Sequence, residues 1–394
     1  MINSETNTPF FAKIGNIGFA LAVAGLLLFA LGGILHLSSH TILQSYLFGW
    51  LFGMLFTMGC YGMMLMYYMT RAAWGKTTIR LLEAGARLLP LMLILFLPIM
   101  IWHANLYPWA DPTKVKAEEI LRWRGAWMND IAWVIRTFAY FGLWSGFTYY
   151  LSDLSRKQDV NNDFRLEKWR QKVSTVGFLL FMITMTLAFT DWVMSLDVHW
   201  FSTIYGPWFV VFSGLAAVSF MSIVVNTQKI AKIEPYATLV TKDTIRDIGN
   251  LTLMLTMLWA YFSLSQWLII WSGNLPEETH FYLLRNKDAF LFVGAFNIVF
   301  SFFVPFLLLI SGRTKRTPHL MLGVSCLLIF MRVIDLFWVV IPATRYPVPV
   351  ITDLAAILVV MGLWLAFHTS VMRQALLIPN HETTIGAQEA LQNA

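Results

Sequence analysis

The sequence predicts an all-α protein that crosses a membrane ten times and keeps both termini in the cytoplasm. Three observations lead there. Of 394 residues, 58% are hydrophobic and 13% charged, whereas a soluble domain carries about 25% charged residues. The apolar residues come in discrete runs near the ~20 residues that a helix needs to cross hydrocarbon, which excludes one large soluble core. Lys and Arg are shared unequally between alternate loops, with 18 on the side that includes both chain ends and seven on the other. That asymmetry places the richer side in the cytoplasm, and an even number of spans agrees with it.

In chain order the spans are expected at 14–37, 45–69, 82–102, 128–151, 172–195, 205–225, 249–271, 289–311, 319–340 and 353–373. No small-residue cleavage site follows the first run, so it is read as a retained helix rather than a signal peptide. The third span is least regular at its start, where Glu83 and Arg87 lie one helical turn apart. The ninth carries Arg332 and Asp335 within it. The whole chain reads as one integral membrane domain. Its longest loops run to about 25 residues, too short for a hidden soluble domain, and the polar end 374–394 reads as a flexible tail.

Several functions are excluded or unsupported. The net charge of +6 follows the loops, which assigns it to topology rather than nucleic-acid binding. Cys60 and Cys326 are far apart and form no CxxC or CxxCH, so this chain is expected to hold no metal, no iron–sulfur cluster and no c-type haem. His36 and His103 stand at similar depth and could face one haem b; we expect none. No phosphate-binding loop, dinucleotide fingerprint or HExxH zinc motif is present.

One stretch organises the rest. Residues 191–206, DWVMSLDVHWFSTIYG, place two carboxylates, a histidine, hydroxyls, two tryptophans and a tyrosine between two apolar runs. Such a segment is tolerable in an interface, in a protein-lined cavity or against a partner. The charge rule turns it outward, together with the loops 102–127 and 271–288. Two readings stay open: an interfacially folded rim, or a docking surface for an extracytoplasmic partner with Asp197, His199 and Trp200 as contact residues.

Ionisable residues within spans are costly and usually find partners. Glu83 and Arg87, at i and i+4, are expected to pair, either structurally or as a proton uptake point. Arg332 and Asp335, at i and i+3, are expected to pair locally or to join other helices in a polar hub. Arg136 has no carboxylate within a helical turn and needs a partner from another helix, with Asp191 or Asp335 at the right depth. His36, at the outer end of span one, could serve a quinol head group with Asp191 or Asp335; an interfacial histidine is the plainer reading. His368 lies toward the cytoplasm. The middle of the bundle reads as sparsely polar, with Thr184, Thr186, Ser263 and Asn297, so a proton route would need bridging hydroxyls and water.

The string at 191–206, WLIIWSGNLPEET at 267–279 and LYPWADP at 106–112 resemble the ActF subunits of alternative complex III, a bacterial quinol:electron-acceptor oxidoreductase, and through them the NrfD/PsrC-like integral membrane proteins. The resemblance covers essentially all ten spans; SLDVHWFST and GNLPEE carry its specificity. Val198 departs from it, standing where a proline is expected. The resemblance implies two four-helix bundles (about 45–195 and 205–340) flanked by the first and last helices. It implies the bacterial inner membrane, a sister NrfD-like membrane subunit, and multihaem cytochrome c and iron–sulfur subunits outside. It further implies a non-haem subunit, not catalytic alone, that anchors the complex and contributes to quinone binding or proton translocation. Family naming calls such subunits quinone-binding, although the quinol site is better supported in the sister. A secondary transporter with an outer polar site is the alternative from another class. The paired broken spans common in transporters are missing, since Pro90 and Pro98 of span three have no counterpart in a matching span.

Overall fold

The computed structural model describes residues 8–34, 39–161, 164–344, 350–374 and 376–379. The chain is an all-α polytopic membrane protein, and among the described residues nine helices are long and apolar enough to cross a membrane. In order the helices are α1 (Thr8–Ile34), α2 (Ser39–Thr70), α3 (Ile79–Ala86), α4 (Leu89–Ile101), α5 (Pro112–Ala117), α6 (Glu119–Arg124), α7 (Asp130–Asn161), α8 (Phe164–Trp192), α9 (Tyr205–Ile230), α10 (Tyr236–Leu239), α11 (Lys242–Gly273), α12 (Pro276–Arg285), α13 (Asp288–Ile298), α14 (Val304–Ile310), α15 (Pro318–Thr344) and α16 (Val350–Arg373). The end of the molecule bearing the basic loops is called inner, and the opposite end the rim.

The span expected at 128–151 falls on α7. It is not among the nine, so the ten expected spans become nine among the described residues; α7 is as long as its neighbours, and its first residue meets His103 at the rim while its last turns meet Arg80 at the inner end. It is more polar than the other nine, for a reason given below. The span expected at 82–102 divides into α3 and α4, because Pro90 sits at the start of a new helix and the chain turns at Arg87 and Leu88. Span eight stays continuous but widens locally: a π-helical turn, Val299–Phe303, joins α13 to α14.

For description the helices are taken as two bundles. The first contains α2, α3–α4, α7 and α8; the second contains α9, α11, α13–α14 and α15. They meet along α2 and α9, both apolar and buried on nearly every side, as expected of central helices. Close approach there needs Gly59, whose place any Cβ would fill only 1.9 Å from the Ser213 carbonyl. Helix α11 starts with a capping box, Thr241 and Thr244 each serving the other's backbone N–H. It ends on Asn274 in the left-handed conformation, φ 47°.

Helices α1 and α16 flank the bundles as a pair. Helix α1 packs chiefly on α16, and small residues let the backbones touch. A Cβ on Gly18 would lie 2.7 Å from the Gly362 carbonyl, and one on Gly362 would lie 2.5 Å from the Ala22 nitrogen. Small-residue contacts of this kind drive helix association where lipid offers no hydrophobic effect. Gly18→Leu should therefore lower the stability of the purified protein by about 1–3 kcal/mol, read as a drop in Tm in detergent. Gly142→Leu on α7, where a Cβ meets nothing within 4 Å, should leave Tm unchanged.

Candidate functional site

Asp191 ends α8 and is fully buried. Arg136 of α7 grips it with two bonds, Nε to Oδ2 at 2.8 Å and Nη2 to Oδ1 at 3.1 Å. Trp127 donates Nε1–H to Oδ1 at 2.9 Å and Tyr140 donates its hydroxyl to Oδ2 at 3.2 Å. The Arg136 guanidinium also lies 4.2 Å from the Trp127 ring centre and donates to the Trp127 carbonyl. Of the two partners that the sequence allowed for Arg136, the structure takes Asp191. The Asp191 carbonyl is used as well, accepting from Trp133 and Ser195.

The chain beyond Asp191 ties the two bundles together at the rim. The Asp197 carboxylate accepts the backbone N–H of His199 and of Trp200. Trp200 is buried and stacks on Phe281 of α12 at 4.3 Å. It therefore anchors the rim and is not itself open to a partner, which corrects its place among the expected contact residues. His199 is exposed, 3.4 Å from Glu118. Ser202 donates to Gln266 of α11 at 2.5 Å. Arg285, buried beneath Trp200, donates to the Phe281, Trp338 and Val339 carbonyls. Burial pulls its pKa down to about 10, against the pull of Tyr205, Asp197 and Tyr282.

The inner end of the first bundle holds a second charged centre. Glu83 of α3 accepts from Tyr68 and from Arg80, the latter at 2.6 Å. Arg80 also reaches Ser155 and Asp159 of α7. The expected Glu83–Arg87 pair does not form. Arg87 closes α3 with its N–H still bonded to the Glu83 carbonyl, but Glu83 is engaged by Tyr68 and Arg80 and the Arg87 side chain turns to Ser152, Asp153 and the Tyr149 ring of α7. His368 of α16 is buried, stacked on Trp364, with Nε2 3.1 Å from the Leu81 carbonyl. It braces α3 and does not reach the Glu83 centre through any bond seen here. His36 lies outside the described residues. His103 has both ring nitrogens on acceptors, the Met100 carbonyl at 2.8 Å and Asp130 at 2.9 Å.

Between the two centres the α7 face is polar throughout. Arg136, Tyr140, Trp144, Thr148 and Ser152 recur every four residues, followed by Ser155 and Asp159. Trp144 donates to Thr184 of α8 at 2.8 Å. The buried hydroxyls of Thr148 and of Tyr61 on α2 have no protein partner. The stripe covers about 35 Å at 1.5 Å per residue. The sequence signal was present as a four-residue period of hydroxyl and ring-NH groups; those residues read individually as apolar or neutral, which hid it.

No family model matches this chain, and no curated protein matches it.

The second bundle has its own centre. Asp335 of α15 accepts from Arg332 at 2.9 Å, Trp259 of α11 at 2.6 Å and Asn297 of α13 at 2.6 Å. The local pair and the polar hub expected for Arg332 and Asp335 thus coexist. Ser301, inside the π-turn, donates to Asn297 at 2.6 Å. Arg332 is fully buried, 4.6 Å over the Phe212 ring, and its Nε and Nη2 have no protein partner. Toward the inner end, Ser219, the Ser222–Ser325 bond at 2.7 Å, Asn226 and Gln228 continue a buried polar file along α9 and α15. Ser219 Oγ, Asn226 Oδ1 and both Gln228 amide atoms are likewise unpartnered.

Removing Arg136 leaves Asp191 buried with only neutral donors. Arg136→Ala should destabilise the first bundle by about 3–5 kcal/mol, measured by thermal or denaturant unfolding. Replacing both residues with apolar ones, Arg136→Met with Asp191→Leu, should recover most of that loss.

Proposed function

We propose that this chain is a membrane subunit of a bacterial respiratory quinol oxidoreductase of the alternative complex III type, seated in the inner membrane, and that its first bundle carries protons. The observation that supports this most is the α7 stripe. It joins an outer carboxylate, Asp191, to an inner one, Glu83, through hydroxyl groups facing the bundle interior. Buried ionisable residues at span depth are functional by default because of what they cost. Thr148 and Tyr61 have polar atoms that water can serve, which supplies the bridging groups such a route needs.

In this reading Glu83 exchanges protons with the inner side, under the control of Arg80 and Tyr68. Asp191 is the outer station, held by Arg136, Trp127 and Tyr140. The second bundle offers a parallel centre. There Arg332 stands between the inner polar file and Asp335, so a proton reaches the carboxylate only when the guanidinium gives up its Nη1 bond. The exposed rim around His199, Trp123 and Trp127 is where multihaem cytochrome c and iron–sulfur subunits would dock, beside a sister NrfD-like subunit. A quinone is not assigned to any group in this chain.

The π-turn of the eighth span, which presents Asn297 and Ser301 to the Asp335 centre, favours the transporter as second reading, since π-turns recur at functional sites. Purification through a tag on this chain separates the two. Co-purifying c-type haem and iron–sulfur subunits support the respiratory reading; a lone, colourless protein supports the transporter.

Within the complex, Thr148→Val and Glu83→Gln should each preserve assembly and quinol-dependent electron transfer while cutting proton uptake in proteoliposomes at least tenfold. Unchanged proton uptake in both variants would remove the proton route from the first bundle.

A further inference from the structure

A groove of about 520 Å³ opens sideways between α2, α13, α15 and α16. Phe48, Phe292, Phe296, Phe337, Leu354 and Ile357 form most of its wall. Its titratable wall residue, Asp353, is the fourth residue of α16 and so lies at the rim end. From there the groove descends about one helical turn to Ile357. Just beside Asp353, the Ser45 and Thr352 hydroxyls bond each other at 2.7 Å. The groove is therefore polar at its rim edge and hydrocarbon below, at the depth of the outer leaflet.

We propose that this groove binds one acyl chain of an outer-leaflet phospholipid as a resident part of the fold. The choice of occupant rests on chemistry and size. A quinone ring needs a polar partner at each oxygen, and below Asp353 the wall is carbon. A partner helix is about 10–12 Å across, broader than a single acyl chain, and the wall below Asp353 offers it no polar group to fix its register. An acyl chain needs neither a donor nor that width, and its headgroup remains level with Asp353. The position gives the chain a role. Helix α16 packs on α1, α2 and α3, while the groove separates its outer half from α13 and α15. A chain lying there fills the seam between the flanking pair and the second bundle, restoring the contacts that an unfilled gap forfeits.

The test is native mass spectrometry of the full-length protein in mild detergent. The wild type should retain one phospholipid per chain. Leu354→Trp, which fills the groove from a half-exposed position, should cut that occupancy at least fivefold, while Leu307→Trp, on lipid-facing α14 away from the groove, should not. If Leu354→Trp fails to fold, a phospholipid with a photoreactive acyl chain, illuminated in membranes holding the wild type, should label the peptides around Phe292–Phe296 or Ile357. Equal retention in the folded Leu354→Trp variant, a retained quinone, or no label at those peptides would each overturn the proposal.

Discussion

A carboxylate buried where no water can reach it must be satisfied by the protein, and the architecture around Asp191 follows from that constraint. Two bonds from Arg136, one from Trp127 and one from Tyr140 meet its two oxygens. Those donors come from the rim loop and from α7, so satisfying one charge fixes the angle at which α7 leaves the rim and packs on α8. The charge also sits at the last turn of α8, where the carbonyl end of the helix dipole disfavours it, which makes the guanidinium indispensable. From this fixed point the loop runs across to Trp200 and Phe281, so one segment locks the first bundle to the rim of the second.

The same constraint operates in the second bundle with different pieces. Asp335 also takes an arginine and an indole N–H, but its arginine comes from its own helix and its third donor, Asn297, from a helix that must widen locally to present it. The π-turn directly after Asn297 is that widening, and Ser301 within it holds the amide in place. An extra residue per turn at such a point re-aims side chains and is common at functional sites. Each bundle thus ends on a helix whose aspartate is tied to arginine and tryptophan. The first is braced by the rim, the second by an irregular helix.

Helix class and nine of the ten expected hydrophobic segments were legible because twenty apolar residues in a row have few other fates; the tenth, on α7, is not apolar enough to stand with them. The Arg136–Asp191 contact was legible too: an arginine with no local carboxylate implies a distant one at equal depth. Three features were not. Arg80 falls between the expected spans 45–69 and 82–102 and counts there among the loop charges, yet it is buried, because α3 begins at Ile79 and carries it under α7. Arg87 reads as the partner of Glu83, yet Glu83 is engaged by Tyr68 and Arg80. Trp200 reads as a surface aromatic beside an exposed histidine, and only the placement of α12 shows that it is covered. Each depended on where a helix begins or what packs against it, which neighbours along the chain do not encode.

Helix α7 shows why low hydropathy in a span can be information rather than noise. Its lipid-facing side carries Ile131, Ile135 and Phe138, with the open glycines 142 and 146 in line. The opposite side carries Arg136, Tyr140, Trp144, Thr148 and Ser152. Averaged over the helix, the polar side lowers the hydropathy below that of its neighbours, yet Tyr140, Trp144, Thr148 and Ser152 are all buried. A bundle that needed α7 only as a wall would fill the inner face with Leu and Val, since apolar packing there is cheaper than satisfying five polar groups. The retained cost, and its concentration on the single face that joins Asp191 to Glu83, is the physical argument that this face is used.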